Sequence, residues 1–158
     1  MKPRLYPMLL AALLLSLLIG APSAMAAGQP MSATGTFTQT GFVQANVQVT
    51  GAVTQFDFTA TSTVSGTMSG TSVATGHCVV KASGEGQCVA RETLFGTVAG
   101  RAGTGEFLEV INLNFATGAN AGRFTVLSGT GDLQNLHGAG SFEGLGLFGT
   151  YSARLVFA

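Results

Sequence analysis

Apolar and polar residues alternate with a period of two along much of this chain, the signature of strands that bury one face. Val43, Ala45, Val47 and Val49 alternate with Gln44, Asn46 and Gln48. Phe56 and Phe58 flank Asp57. Phe107, Ile111, Leu113 and Phe115 share one face, with Asn112 and Asn114 on the other. Tyr151, Ala153, Leu155 and Phe157 oppose Ser152, Arg154 and Val156. Clusters of Gly, Ser, Thr and Asn punctuate these runs. The pattern predicts strands over 35–41, 43–50, 54–62, 70–81, 86–97, 104–115, 121–130 and 146–157, with a short extra piece near 139–143. An all-β chain of about eight strands must hide its sheet edges, and closure into a small antiparallel barrel does so directly. A two-sheet sandwich is the alternative on pattern alone.

The N-terminus breaks this pattern. Lys2 and Arg4 precede an apolar run from Leu9 to Ile19, and Gly20, Pro22 and Ser23 end it. Ala24-Met25-Ala26 then supplies the small-x-small sequence that a signal peptidase recognises, placing the cut between Ala26 and Ala27. The apolar run falls short of the roughly 20 residues needed to span a bilayer. The expected organisation is therefore a signal peptide over 1–26 and a single domain over 27–158. The expected location is exported, periplasmic or extracellular, with the membrane met only through the export signal.

Composition narrows the partners. Only 9% of residues are charged and 23 are Gly. Without Lys2 and Arg4, five Lys or Arg stand against seven Asp or Glu. Such a chain lacks the basic stripe of a nucleic-acid binder.

Cys78 and Cys88 flank Val79-Val80-Lys81-Ala82-Ser83-Gly84-Glu85-Gly86-Gln87. Apolar arms around a small, Gly-containing centre read as a hairpin. A turn centred on Ser83 puts Cys78 directly opposite Cys88, within bridging reach. The spacing is not C-x-x-C, and two His cannot complete a convincing zinc set. The expectation is a structural disulfide formed in an oxidising compartment, with no metal.

Several stretches resemble a known family. Ser128-Gly129-Thr130-Gly131-Asp132-Leu133 through Gly138-Ala139-Gly140-Ser141-Phe142, then Gly149-Thr150-Tyr151, looks like the C-terminal signature of the bacterial domain-of-unknown-function family 3224. Gly35-Thr36-Phe37-Thr38, Val64-Ser65-Gly66-Thr67-Met68-Ser69-Gly70-Thr71-Ser72 and Leu94-Phe95-Gly96-Thr97-Val98-Ala99-Gly100-Arg101-Ala102-Gly103 follow the same pattern in order. That family is similar to allene oxide cyclase-like barrels. The resemblance implies eight antiparallel strands around a small interior, and it brings no catalytic residues.

Site chemistry is sparse. Gly144-Leu145-Gly146-Leu147-Phe148-Gly149 matches G-x-G-x-x-G, but a dinucleotide site needs a helix after it, and a terminal strand follows instead. No cofactor is expected. His77 and His137 read as turn or surface residues. Glu109 is the residue to watch: it shares its strand face with Phe107, Ile111, Leu113 and Phe115, so a carboxylate falls among apolar groups. Arg123 is its candidate partner, and the two form the expected ligand-binding pair. The function expected is an exported module that binds a small apolar ligand or serves in an interaction. The alternatives are an isomerase or cyclase using the interior carboxylate, and a small outer-membrane barrel or structural surface protein.

Overall fold

The computed structural model describes residues 28–158. The signal segment, residues 1–26, and the cut between Ala26 and Ala27 lie outside the described residues. Eight antiparallel strands follow in chain order: β1 (Met31–Thr50), β2 (Val53–Gly66), β3 (Met68–Lys81), β4 (Glu85–Val98), β5 (Arg101–Asn114), β6 (Ala119–Gly129), β7 (Leu136–Leu145) and β8 (Phe148–Phe157). Each pairs with the next, and β8 returns to β1, so the sheet closes on itself. Among the described residues the helical content is one 3-10 turn, Gly131–Leu133.

Two elements differ from the sequence expectation. The predicted strands 35–41 and 43–50 are one strand, β1, interrupted by register shifts between Gln39 and Gly41 and between Ala45 and Gln48. The second shift is a bulge in which Asn46 takes a positive φ of 52°, a conformation Asn tolerates better than most residues. It divides the alternating run. Val43 and Ala45 lie opposite Thr59 and Asp57, whereas Val49 lies opposite Thr54, on the other face. The piece near 139–143 is a full strand, β7, of ten residues.

Inner positions alternate large and small across neighbouring strands. Phe37 lies opposite Gly149 and Tyr151 opposite Gly35. Phe58 lies opposite Gly76, while Phe124 faces Gly140 and Phe142 faces Gly122. A ring on one strand thus lies over a glycine on the next, which fills a small closed sheet without overcrowding it. Tyr151 uses the gap most fully. Its ring crosses Gly35, and its hydroxyl accepts a hydrogen bond from the Met68 N–H at 2.8 Å. The hydroxyl proton is directed at the carbonyls of Met68 and Ser65, 3.2 and 3.3 Å away. Strand β8 is thereby tied to the β2–β3 turn across β1.

One end of the ring is sealed. Leu133 of the 3-10 turn is wholly buried together with Val98, Leu136 and Leu155, so the β6–β7 connection acts as a plug. The other end carries the β1–β2, β3–β4, β5–β6 and β7–β8 turns. There the pairing of β1 with β8 stops at Thr38–Phe148, and the Gln39 N–H donates instead to the Leu147 carbonyl at 2.7 Å. Beyond this point β1 pairs with β2 on one side only, while β2 stays paired with β3, and the ring opens.

Candidate functional site

A cavity of about 380 Å³ occupies the interior between the plug and the open end. It lies between two groups of packed apolar side chains, one around Leu133 and Leu155 and one around Phe56, Phe58 and the cysteines. Its mouth is framed by Phe42 from β1, Phe115 and Gly118 from the β5–β6 turn, and Leu147 from the β7–β8 turn. Phe42 stacks on Phe58 with ring centroids 5.5 Å apart, and Phe115 approaches Phe56 at 6.1 Å. Partly exposed aromatic rims of this kind leave an apolar entrance instead of a hydrated one.

Strand β5 supplies one wall. Phe107, Glu109, Ile111 and Leu113 all line the cavity, as the period of two requires. Glu109 is 8% exposed and lies between Ala90 on β4 and Phe124 on β6. Arg123 does not join it. That residue points outward from β6, between Val110 and Ser141, and is exposed. A strand that turns Phe124 and Val126 inward must turn Arg123 out, so the proposed Glu109–Arg123 pair does not form.

The neighbour that does reach Glu109 is Glu92. It faces inward from β4, lies opposite Phe107 and lines the same cavity. Burial holds the Glu109 carboxyl well above its usual range, and the charge of Glu92 and a hydrogen bond to it add to the effect. Glu109 therefore binds its proton more tightly than an exposed carboxyl does. The two carboxyls stand on adjacent strands, diagonal to one another across the β4–β5 register, and share one largely apolar cavity. Among the described residues no Lys, Arg or His lines the cavity.

A pH dependence follows. The native chain holds the Glu109 proton more tightly than the unfolded chain, whose value is near 4.5. As pH rises above 4.5 the unfolded state releases this proton first, so stability falls until the native value is passed and is level thereafter. Glu109→Gln removes the effect. In urea unfolding the variant should match the parent at about pH 4 and exceed it at about pH 8. A parent that outlasts the variant at the higher pH would contradict the burial of this group.

The cysteines form a second wall. Cys78 and Cys88 are directly opposed on β3 and β4 and joined as a disulfide. Both are buried, at 1% and 2% exposure, and both line the cavity, so the bridge is part of the interior and not a surface clasp. The turn between them runs through Ala82, Ser83 and Gly84.

The remaining candidates lie elsewhere. His77 is exposed on the outer face, its Nδ1 2.8 Å from Asp57 Oδ1. The second Asp57 oxygen accepts a hydrogen bond from Asn46 at 2.7 Å; these two bonds, the Asn46 bond first, hold the Asp57 carboxyl below its usual value. His137 is exposed on β7, and no contact joins it to this group. Gly144 to Gly149 form the β7–β8 hairpin, without the helix a dinucleotide site requires.

Fold and site together define a class: an all-β protein whose eight antiparallel strands form a ring around an apolar, one-ended cavity. The particular family follows from the sequence. Residues 33–146 match the profile of a family described as protein of unknown function (DUF3224), and this chain belongs to it. A similar solved structure is the crystal structure of a protein of unknown function from the DUF3224 family of Shewanella oneidensis MR-1. It is 21% identical, covers 82% of this chain and 98% of its own, and superposes with a TM-score of 0.68. No curated protein matches the chain.

Proposed function

We propose that this protein is an exported binding module that takes a small apolar molecule into its interior. The single observation that carries this reading is the cavity. Its volume is in the range of small-molecule sites, its walls are largely aromatic and aliphatic, and its polar groups are few. A closed sheet with one sealed end and one aromatic-rimmed mouth is the arrangement that small β-barrels use to hold one ligand. On this reading the molecule is a small barrel of the allene oxide cyclase-like kind, and residues 27–158 are its one domain.

One further observation supports the compartment. A disulfide built into the interior suits an oxidising location, periplasmic or extracellular. The outer face is mixed: Arg91, Arg123, Arg154, Glu106 and Glu143 stand there beside exposed Val79, Val89, Leu108 and Val110. The Glu92–Glu109 pair favours one second reading: a retained proton beside a bound molecule could serve an isomerase or cyclase.

Intact mass of protein collected from its native host tests the export step. A chain beginning at Ala27 is expected, and retention of Met1 to Ala26 would contradict it. Native mass spectrometry of the same detergent-free sample tests the binding step. An adduct of small-molecule mass, lost on denaturation, is expected. Recovery of that molecule as a changed isomer after incubation would move the function to the enzymatic reading.

A further inference from the structure

We propose that the cavity selects, among small apolar molecules, those that carry a protonated amine, held by Glu109 and Glu92. This inference rests on the ligand-binding reading and specifies its chemistry. Among the described residues the cavity's ionisable groups are Glu92, Glu109 and Tyr151, and none is a cation. Tyr151 is committed to the backbone of Met68 and Ser65. The groups that face Glu109 are Ala90 and Glu92 from β4 and Phe124 from β6. None of these brings a positive charge to the carboxyl pair.

Glu109 is buried and Glu92 half-buried, and a negative charge on either, facing an apolar cavity with no cation among the described residues beside it, is costly. An ammonium entering through the mouth would neutralise it. Its three N–H donors suit a site that offers several carboxyl oxygens, and the amide and hydroxyl donors of Gln39, Ser62, Asn114 and Asn120 that also line the cavity are neutral. Inside apolar walls such charge-assisted bonds are stronger than in water. A carboxylate ligand would add a like charge, and an alcohol would supply one neutral donor.

The cavity also sets the size of the apolar part. At ~30 Å³ per water-sized group, 380 Å³ holds roughly a dozen such groups, about the bulk of a decyl chain. The rim of Phe42, Phe115 and Leu147 would then surround the chain's far end.

Decylamine, decanol and decanoate, each below its micelle concentration, separate the possibilities by isothermal titration calorimetry on the mature, oxidised protein. Decylamine should bind at least about tenfold tighter than decanol, and decanoate should bind weakest. In the Glu92→Gln/Glu109→Gln variant, decylamine should fall to the level of decanol while decanol stays within about threefold of its parent value. Decanol binding reports directly that the variant's cavity is intact. If the double variant does not fold, Glu92→Gln alone removes the less buried carboxyl, and the same loss is expected. Equal affinity for the three probes would overturn the amine preference while leaving apolar binding in place. A preference for decylamine that survives both substitutions would also overturn it, because the amine would then be held elsewhere. If no probe binds, the ligand-binding reading fails and this inference with it.

Discussion

Gly140→Val should destabilise the fold by about 3 kcal/mol, toward the upper end for an overcrowded interior. A Cβ at Gly140 would stand 2.5 Å from Phe124 Cζ, 2.5 Å from the Ser152 carbonyl oxygen and 2.6 Å from Ala153 Cβ. The ring could swing away only by entering space that Phe107 holds in an edge-to-face contact at 5.7 Å. The carbonyl belongs to the β7–β8 ladder and cannot move without breaking it. Gly146→Ala is the matched control. It lies in the β7–β8 turn at φ 63° with no atom within 4 Å of the added carbon, so its cost is conformational alone, about 1 kcal/mol. Urea midpoints of the two variants measure the difference. Equal midpoints would show that the ring-over-glycine pairing does not constrain the interior.

The second large effect concerns the disulfide. Replacing Cys78 and Cys88 together with alanine should cost about 2–3 kcal/mol, the chain-entropy value for so short a loop. For a domain of this size that corresponds to a fall in Tm on the order of 10 °C. The far-UV spectrum should remain that of a β protein, because the β3–β4 ladder is continuous on both sides of the bridge, from Met68–Val98 to Val80–Gly86. An unchanged Tm would mean that the ladder alone restrains the unfolded chain as strongly as the covalent bond.

How far the structure was legible in the sequence depended on whether each strand carried its own side chains on the buried face. Strand β5 does. Phe107, Glu109, Ile111 and Leu113 advertise their shared face, and the cavity wall they form is where the period of two puts it. Strand β7 does not. Its inner positions are Leu136, Gly138, Gly140, Phe142 and Gly144, so the apolar filling above them comes from Phe124 on β6 and Ala153 and Leu155 on β8. A strand that borrows its core from its neighbours shows little alternation of its own. Strand β1 failed differently, because bulges at Thr40 and Asn46 reset the alternation twice within one strand.

The site was half legible for a related reason. Glu109 stood out as a carboxylate among apolar residues. Glu92 sits in Arg91-Glu92-Thr93, which reads as an ordinary polar surface stretch. A signal was present nonetheless: counting by two from Cys88 through Ala90 to Leu94 places Glu92 on the face of the disulfide. Its meeting with Glu109 depends on the β4–β5 register, fixed by the turn at Ala99 and Gly100, and that register is a tertiary fact. The same counting from Phe124 and Val126 would have turned Arg123 outward.

A decanol titration of isotope-labelled mature protein, followed by NMR, tests most directly whether the interior is a ligand site. Saturable shifts confined to Phe58, Ala60, Phe107, Leu113 and Phe115, with the outer-face Val89 and Val110 unmoved, are the expected result. Shifts that fail to saturate, or that spread over Val89 and Val110 while the cavity residues stay still, would contradict the account.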